Sequence, residues 1–293
     1  MNRRDFLSSA GAALAASQLG CAPAVRTVGD VGASVAGMSG RRLKTVGIQL
    51  YSLRDDARRD LESTLGQIAG MGYKTIEMLG SMNNFGMPVP QLRQILDRNG
   101  LRAVSTHVGG NALNDLDKTL DEAAALGHEY VIVASLPIQG QRTLDDYRRW
   151  ADRFNEAGRQ ARTRNIWIGF HNHANDHAPI DGTVPYDLMM DRTDPSITRM
   201  QLDTGNTAMA SRDPLEYMRK YGPRYWSFHI KDVSGLGAKS DTELGKGTID
   251  FRRLFAMIEN IDQKHMFVEQ ETYPGTPADS LRRDYQYISA LEF

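Results

Sequence analysis

The chain has 293 residues, 41% hydrophobic and 24% charged, a composition suited to a soluble globular protein with room for a large core. Its 35 Lys and Arg nearly balance 36 Asp and Glu, giving a formal charge of −1. With neither a basic surplus nor an acidic tail, the charge argues against nucleic acid or another polyanion as partner and favours a small neutral or weakly charged ligand.

Residues 1–24 read as an export signal. Arg3 and Arg4 open it, Phe6 and Leu7 follow, and a short Ala-rich apolar run comes next, too short to span a bilayer comfortably. The paired arginines resemble the twin-arginine signal of bacteria, which implies a periplasmic protein or a membrane-anchored lipoprotein. Cys21, the one cysteine, closes the apolar run and offers a lipid anchor, although Gln18 stands where a lipoprotein signal prefers an aliphatic residue. Ala22-Pro23-Ala24 offers ordinary cleavage as the rival reading. In either case the mature domain has no cysteine, so no disulfide and no thiol chemistry. Residues 25–42, rich in Gly, Ser, Ala and Val, read as a tether, and residues 43–293 as a single domain.

From Lys44 onward, short β-forming runs alternate with longer amphipathic ones. The predicted strands are TVGIQLYS, KTIEML, RAVSTHV, YVIVAS, WIGFHNH, RMQLDTG, WSFHIKD and MFVEQE. Between them lie helix patterns such as DLESTLGQIAGMG and LDDYRRWADRFNEAGRQARTRN, several ending at Gly or Asn. Eight strand–helix units in about 250 residues predict an α/β fold, a (β/α)8 TIM barrel. A doubly wound sheet is the runner-up, but QLYSLRDD follows the first strand where that fold needs a glycine-rich phosphate loop. Barrel chemistry sits at the C-terminal strand ends. Those ends carry Glu77, His107, His171 with His173, Asp203, His229 with Lys231 and Asp232, and Glu269 with Glu271. Each alone reads more readily as a cap or a solvated rim residue than as part of a site. The fifth to eighth strands all ending in histidine or carboxylate is the composition of a divalent-metal site.

The series GIQLYSLRD, GYKTIEML, HNH, LDTGN, FHIKD, LGKGTIDF and FVEQE resembles, in order and over almost the whole mature chain, the xylose isomerase-like barrels of the sugar phosphate isomerase/epimerase family. The resemblance implies Asp203, His229 and Glu269 as metal ligands. The family's fourth ligand is a glutamate ending the fifth strand; here His171 stands in its place. Two histidines with two carboxylates favour Mn²⁺, Co²⁺, Fe²⁺ or Zn²⁺ over Mg²⁺. The imidazole also removes the carboxylate base that epimerases use from this strand. His173, two residues on and expected on the same face, is assigned proton transfer together with Lys231 and Glu269. Glu77, His107, Asn206 and Glu271 are assigned to substrate, with a salt bridge beneath the site as the alternative for Glu77. His177 is expected to be structural, and the Gly245-Lys246-Gly247 turn either approaches a ligand or starts a helix with Thr248.

The resemblance implies metal-assisted removal of a proton next to the carbonyl of a keto-sugar or keto-glycoside. Without the fifth-strand glutamate a lyase or dehydratase outcome leads, with isomerisation or epimerisation through the same enediolate as the alternative. A non-catalytic sugar-binding lipoprotein is the reading from another class. A nuclease on this barrel is disfavoured by the neutral charge and the export signal.

Overall fold

The computed structural model describes residues 40–293. The expected export signal, Cys21 and all but the end of the expected tether lie outside those residues. Eight parallel strands close into a barrel: β1 (Gly47–Gln49), β2 (Thr75–Leu79), β3 (Arg102–Gly109), β4 (Tyr130–Ser135), β5 (Trp167–His171), β6 (Thr198–Asp203), β7 (Tyr225–Ile230) and β8 (His265–Val268). β1 pairs with both β2 and β8, so no edge is left open. Around them lie α1 (Leu61–Met71), α2 (Val89–Arg98), α3 (Leu116–Leu126), α4 (Leu144–Arg162), α5 (Pro185–Arg192), α6 (Pro214–Tyr221), α7 (Phe251–Ala256) and α8 (Pro277–Ala290). The TIM barrel is therefore the observed fold.

The strands form where runs of β-branched and aromatic residues meet an alternating pattern. In β6, Met200 and Leu202 join the apolar layer under the helices, while Gln201 and Asp203 face the barrel axis. In β7, Phe228 and Ile230 face out, and Ser227 and His229 in. Several helices start at side-chain caps, such as Asp60 of α1 and the Thr143–Asp146 capping box of α4, and α1 and α3 end at left-handed Gly72 and Gly127.

β1 stops three residues earlier than the sequence pattern suggests. The Gln49 side chain accepts the Tyr51 N–H at 3.1 Å and turns Leu50–Leu53 into a short 3-10 helix. At the opposite end of the barrel, Arg199 is sandwiched between Trp167 and Trp226, its Cζ 3.6 and 3.3 Å from the ring centroids. Arg162 and the Lys264 ammonium cover the outer faces of those rings. The stack belongs to the bottom of the barrel, where packing serves stability.

The layer of side chains just below the mouth is polar. Gln49, Glu77, Ser105, Gln201 and Ser227 are all buried there, in register across neighbouring strands. A barrel interior is ordinarily filled by branched apolar residues. Here it forms a hydrogen-bonded floor beneath the strand-end residues.

Candidate metal centre at the barrel mouth

Glu77, at the centre of the floor, is completely buried, and its two oxygens are saturated. They accept Gln49 Nε2 at 2.8 Å, Gln201 Nε2 at 3.2 and 3.0 Å, the Ser105 hydroxyl, His107 Nε2 at 2.9 Å and His229 Nε2 at 2.6 Å. Burial by itself would raise this carboxyl, but His107 and His229 outweigh it and hold Glu77 below the usual range. The assignment of Glu77 to substrate is corrected by this geometry, because no oxygen is left free and the side chain has no access to the mouth. It takes the salt-bridge role beneath the site.

The floor fixes the histidines above it. A carboxylate only accepts, so Gln201 must turn its amide N–H groups toward Glu77 and its carbonyl oxygen upward. That oxygen receives His171 Nδ1 and His107 Nε2, each at 2.8 Å. His171 therefore carries its proton on Nδ1, and its Nε2 lone pair faces Asp203 Oδ2 at 3.9 Å. Desolvation, reinforced by His229 and His107, lowers the His171 pKa far enough to keep the ring neutral.

His229 is held in the same manner. Its Nε2 donates to Glu77, and its Nδ1 faces Glu269 Oε2 at 2.9 Å and Asp203 Oδ2 at 3.7 Å. Burial disfavours its charge, but Glu269, Asp203 and Glu77 raise its pKa well above the ordinary value. A histidine that donates one N–H to a buried carboxylate and turns the other nitrogen to the site is the usual arrangement of a metal-ligating imidazole.

Asp203 is positioned from both sides. Asn206 donates to its two oxygens, through the backbone N–H at 2.7 Å and Nδ2 at 2.9 Å, and Asn172 Oδ1 accepts the Asp203 N–H at 2.9 Å. His177 supports Asn172, lying 3.1 Å from its Nδ2 with the other ring nitrogen 3.1 Å from the Tyr217 hydroxyl. It is buried in the second layer, as its structural reading anticipates.

Asp203, His229 and Glu269 thus present ligand atoms within 4.8 Å of one another, and His107, His171 and His229 form a second such group. Three of the four residues expected to hold metal form the first group; His171 belongs to the second and stands 3.9 Å from Asp203, with His229 common to both groups. Lys231 shares the space: its ammonium lies 2.8 Å from Glu269 Oε2, 3.5 Å from Asp203 Oδ2 and 2.7 Å from Glu271 Oε1. The stem of Lys231 passes directly over Gly205, where a Cβ would come within 2.5 Å of it. Burial opposes charge on Glu269, yet Lys231 and His229 hold its pKa well below the ordinary value. Asp203 and Glu269 face Lys231, the one buried ammonium among the described residues, and Glu77 adds a third buried carboxylate beneath His229. A divalent cation would neutralise the remaining charge, so the donor set and charge balance both fit a metal.

The remaining expected residues divide. His107, His171, His173, Asn206, Lys231, Glu269 and Glu271 line one cavity of about 350 Å³ at the mouth. His173 lies just beyond the end of β5, exposed, with its ring 4.8 Å from that of His171 and its backbone N–H held by Asp176. Asp232 is not a mouth residue. Its carboxylate gathers the N–H groups of Val233, Gly245, Gly247 and Ile249, so the Gly-Lys-Gly turn is tied down by a side chain. The helix after it starts at Asp250, whose side chain accepts the Arg253 N–H, and not at Thr248.

Sequence reasoning missed Gln49, Asn172 and Gln201. Gln201 carried a usable signal, since it lies two residues before Asp203 and so on the same strand face.

A family model described as xylose isomerase-like TIM barrel matches residues 65–291. The inosose dehydratase of Bacillus thuringiensis (strain Al Hakam) is 25% identical over 202 residues, a match spanning 62% of this chain and 65% of that protein. A crystal structure described as a sugar phosphate isomerase/epimerase from Parabacteroides distasonis ATCC 8503 is 26% identical with a TM-score of 0.72, covering 83% of this chain and 96% of that one. A barrel solved with a bound zinc atom has a TM-score of 0.66 at 11% identity, covering 83% of this chain and 95% of that one, a likeness that carries the fold alone.

Proposed function

Because this chain belongs to the xylose isomerase-like TIM barrel family, we propose that it is a divalent-metal-dependent enzyme acting on a keto-sugar or keto-glycoside, with a lyase or dehydratase outcome. The observation that carries the reading is the convergence of Asp203, His229 Nδ1 and Glu269, with His171 Nε2 3.9 Å from Asp203 and both histidine tautomers set from below by Gln201 and Glu77. These four would hold the ion, and the two imidazoles favour Mn, Co, Fe or Zn over Mg. When bound, the ion supplies Lewis-acid polarisation that acidifies the C–H next to a sugar carbonyl.

The chain's own residues do the rest. His173, exposed at the rim beside His171, accepts or returns a proton at its ring nitrogen. Lys231, anchored between Glu269 and Glu271, presents positive charge to an oxygen that becomes anionic. Asn206 and His107 reach the same cavity and orient hydroxyl groups. Inversion at one carbon needs bases on opposite faces. The β5 carboxylate that would serve as one of them is replaced by a neutral His171 engaged with Gln201, which favours loss of a β-oxygen over epimerisation. The inosose dehydratase likeness supports the same outcome. The twin-arginine pattern of residues 1–24 places this activity outside the inner membrane in our reading, with Cys21 as the candidate anchor.

The test is product identity. Metal-loaded protein is incubated with inososes and with 3-keto-glucosides, and the products are followed by NMR. An unsaturated or cleaved product is expected, and a rearranged sugar of unchanged composition would replace the lyase reading with isomerisation.

A further inference from the structure

The mouth cavity does not end at the metal ligands. A second cavity of about 400 Å³ adjoins it on the β4–β5 side, and Ala134, Ser135, His173 and Asn206 line both. The first, at about 350 Å³, is at the small end of ligand pockets and has room for one sugar ring. The second has room for another group of similar size.

The second cavity is built for a polar occupant. Arg142 Nη1 donates at 2.8 Å to both Asp176 Oδ1 and the Tyr147 hydroxyl. Asp176 is buried and also accepts the His173 backbone N–H, so one carboxylate fixes the guanidinium and the residue dividing the two cavities. The other guanidinium N–H groups of Arg142 have no hydrogen-bond partner among the described residues. Neither do the Ser135 hydroxyl, the Asn175 side-chain amide or Asn206 Oδ1. Asp176 neutralises Arg142, so the pair presents donors without net charge and suits hydroxyl groups better than phosphate or carboxylate. Phe170 and Leu136 add the apolar surface that the C–H face of a sugar requires.

The geometry points to a two-part substrate: a keto-sugar at the metal ligands, glycosidically joined to a second uncharged, hydroxylated ring lying between His173 and Arg142. This rests on the keto-glycoside reading above and assigns its leaving group a place. In the elimination, the C–H next to the carbonyl gives up its proton and its electron pair becomes the C=C bond. The C–O bond on the next carbon breaks with its electrons, and the second ring departs as an alcohol after taking up a proton. No oxidant or reductant is consumed.

The experiment compares kcat/KM for a 3-keto-disaccharide and for 3-keto-glucose in the metal-loaded parent, in Asn175→Trp, which fills the second cavity, and in Arg142→Gln. The two-ring substrate should be favoured in the parent by about ten-fold or more, and both variants should lower that ratio by about ten-fold through KM. A parent ratio near one, or a ratio that neither variant moves, overturns the proposal. If neither sugar reacts, the reaction reading has failed on its own, and saturation-transfer NMR with the unoxidised disaccharide decides the subsite. Contact to both rings in the parent, with the distal ring's signal lost in Asn175→Trp, supports it; contact to one ring only, or to none, overturns it.

Discussion

Gln201→Leu tests whether the floor sets the metal site. The leucine nearly conserves volume but removes the acceptor for His171 Nδ1 and His107 Nε2, each now 2.8 Å away, and one of the donors to Glu77. One buried N–H, that of His171 Nδ1, is left unsatisfied while His107 Nε2 keeps Glu77 at 2.9 Å, and with one donor to that carboxylate lost the cost is about 2–4 kcal/mol of stability. The packed layer between strands and helices, where Met200 and Leu202 lie, is untouched, so the barrel should still form. Without Gln201 nothing selects the His171 tautomer, and loss of such a supporting contact weakens metal binding by about 10–100-fold, or about 1.4–2.7 kcal/mol. Competition against a chelating dye with Mn²⁺, Co²⁺ and Zn²⁺ measures the affinity, and circular dichroism with thermal melts verifies the fold. A folded variant binding metal as tightly as the parent would refute the claim that Gln201 orients His171.

Other substitutions separate the remaining roles. Lys231→Met removes the ammonium that shares Glu269 and Asp203 with the ion, so metal should bind about ten-fold more tightly while turnover is lost; weaker binding, read in the same dye competition, would contradict this. Burial raises the Asp284 carboxyl to about 7, with Oδ1 accepting the Leu244 N–H and Oδ2 unpaired among the described residues. Between about pH 4 and 7 the unfolded chain releases this proton while the folded chain keeps it. This carboxyl's own contribution to stability, read as parent minus Asp284→Asn, therefore falls as pH rises through that window by at most about 4 kcal/mol, against the opposite trend of the buried neutral His128 and His177. Melting curves of parent and variant that run parallel across the window would count against it. Arg199→Ala empties the Trp167–Trp226 sandwich and should cost about 1–2 kcal/mol in denaturant melts, with metal affinity unchanged.

The barrel was legible because its eight strands are runs of β-formers spaced by amphipathic helices, and periodicity survives without tertiary context. The metal corner was legible because histidines and carboxylates ending successive strands are scarce and meaningful. What lay beneath it was not. Gln49 and Gln201 are neutral residues whose importance comes from the carboxylate they meet, and that meeting depends on register between strands far apart in sequence. Glu77 looked like a mouth residue because it stands near a strand end. It lies one layer deeper because β2 runs on through Met78 and Leu79 before it leaves the barrel. Asp232 likewise stands just past a strand end, yet it turns toward the backbone of its own following loop.

Solvent exchange reads proton removal next to a carbonyl by a metal-loaded mouth. The parent, its metal-stripped form and Asp203→Asn are each incubated with a keto-sugar in deuterated water, and the proton next to the carbonyl is followed by NMR. Loss of that signal is predicted in the metal-loaded parent, with restoration on adding Mn²⁺ or Co²⁺ to the stripped form and little loss in Asp203→Asn. Exchange at the same rate in all three, or in none, would rule out metal-dependent proton removal by this barrel.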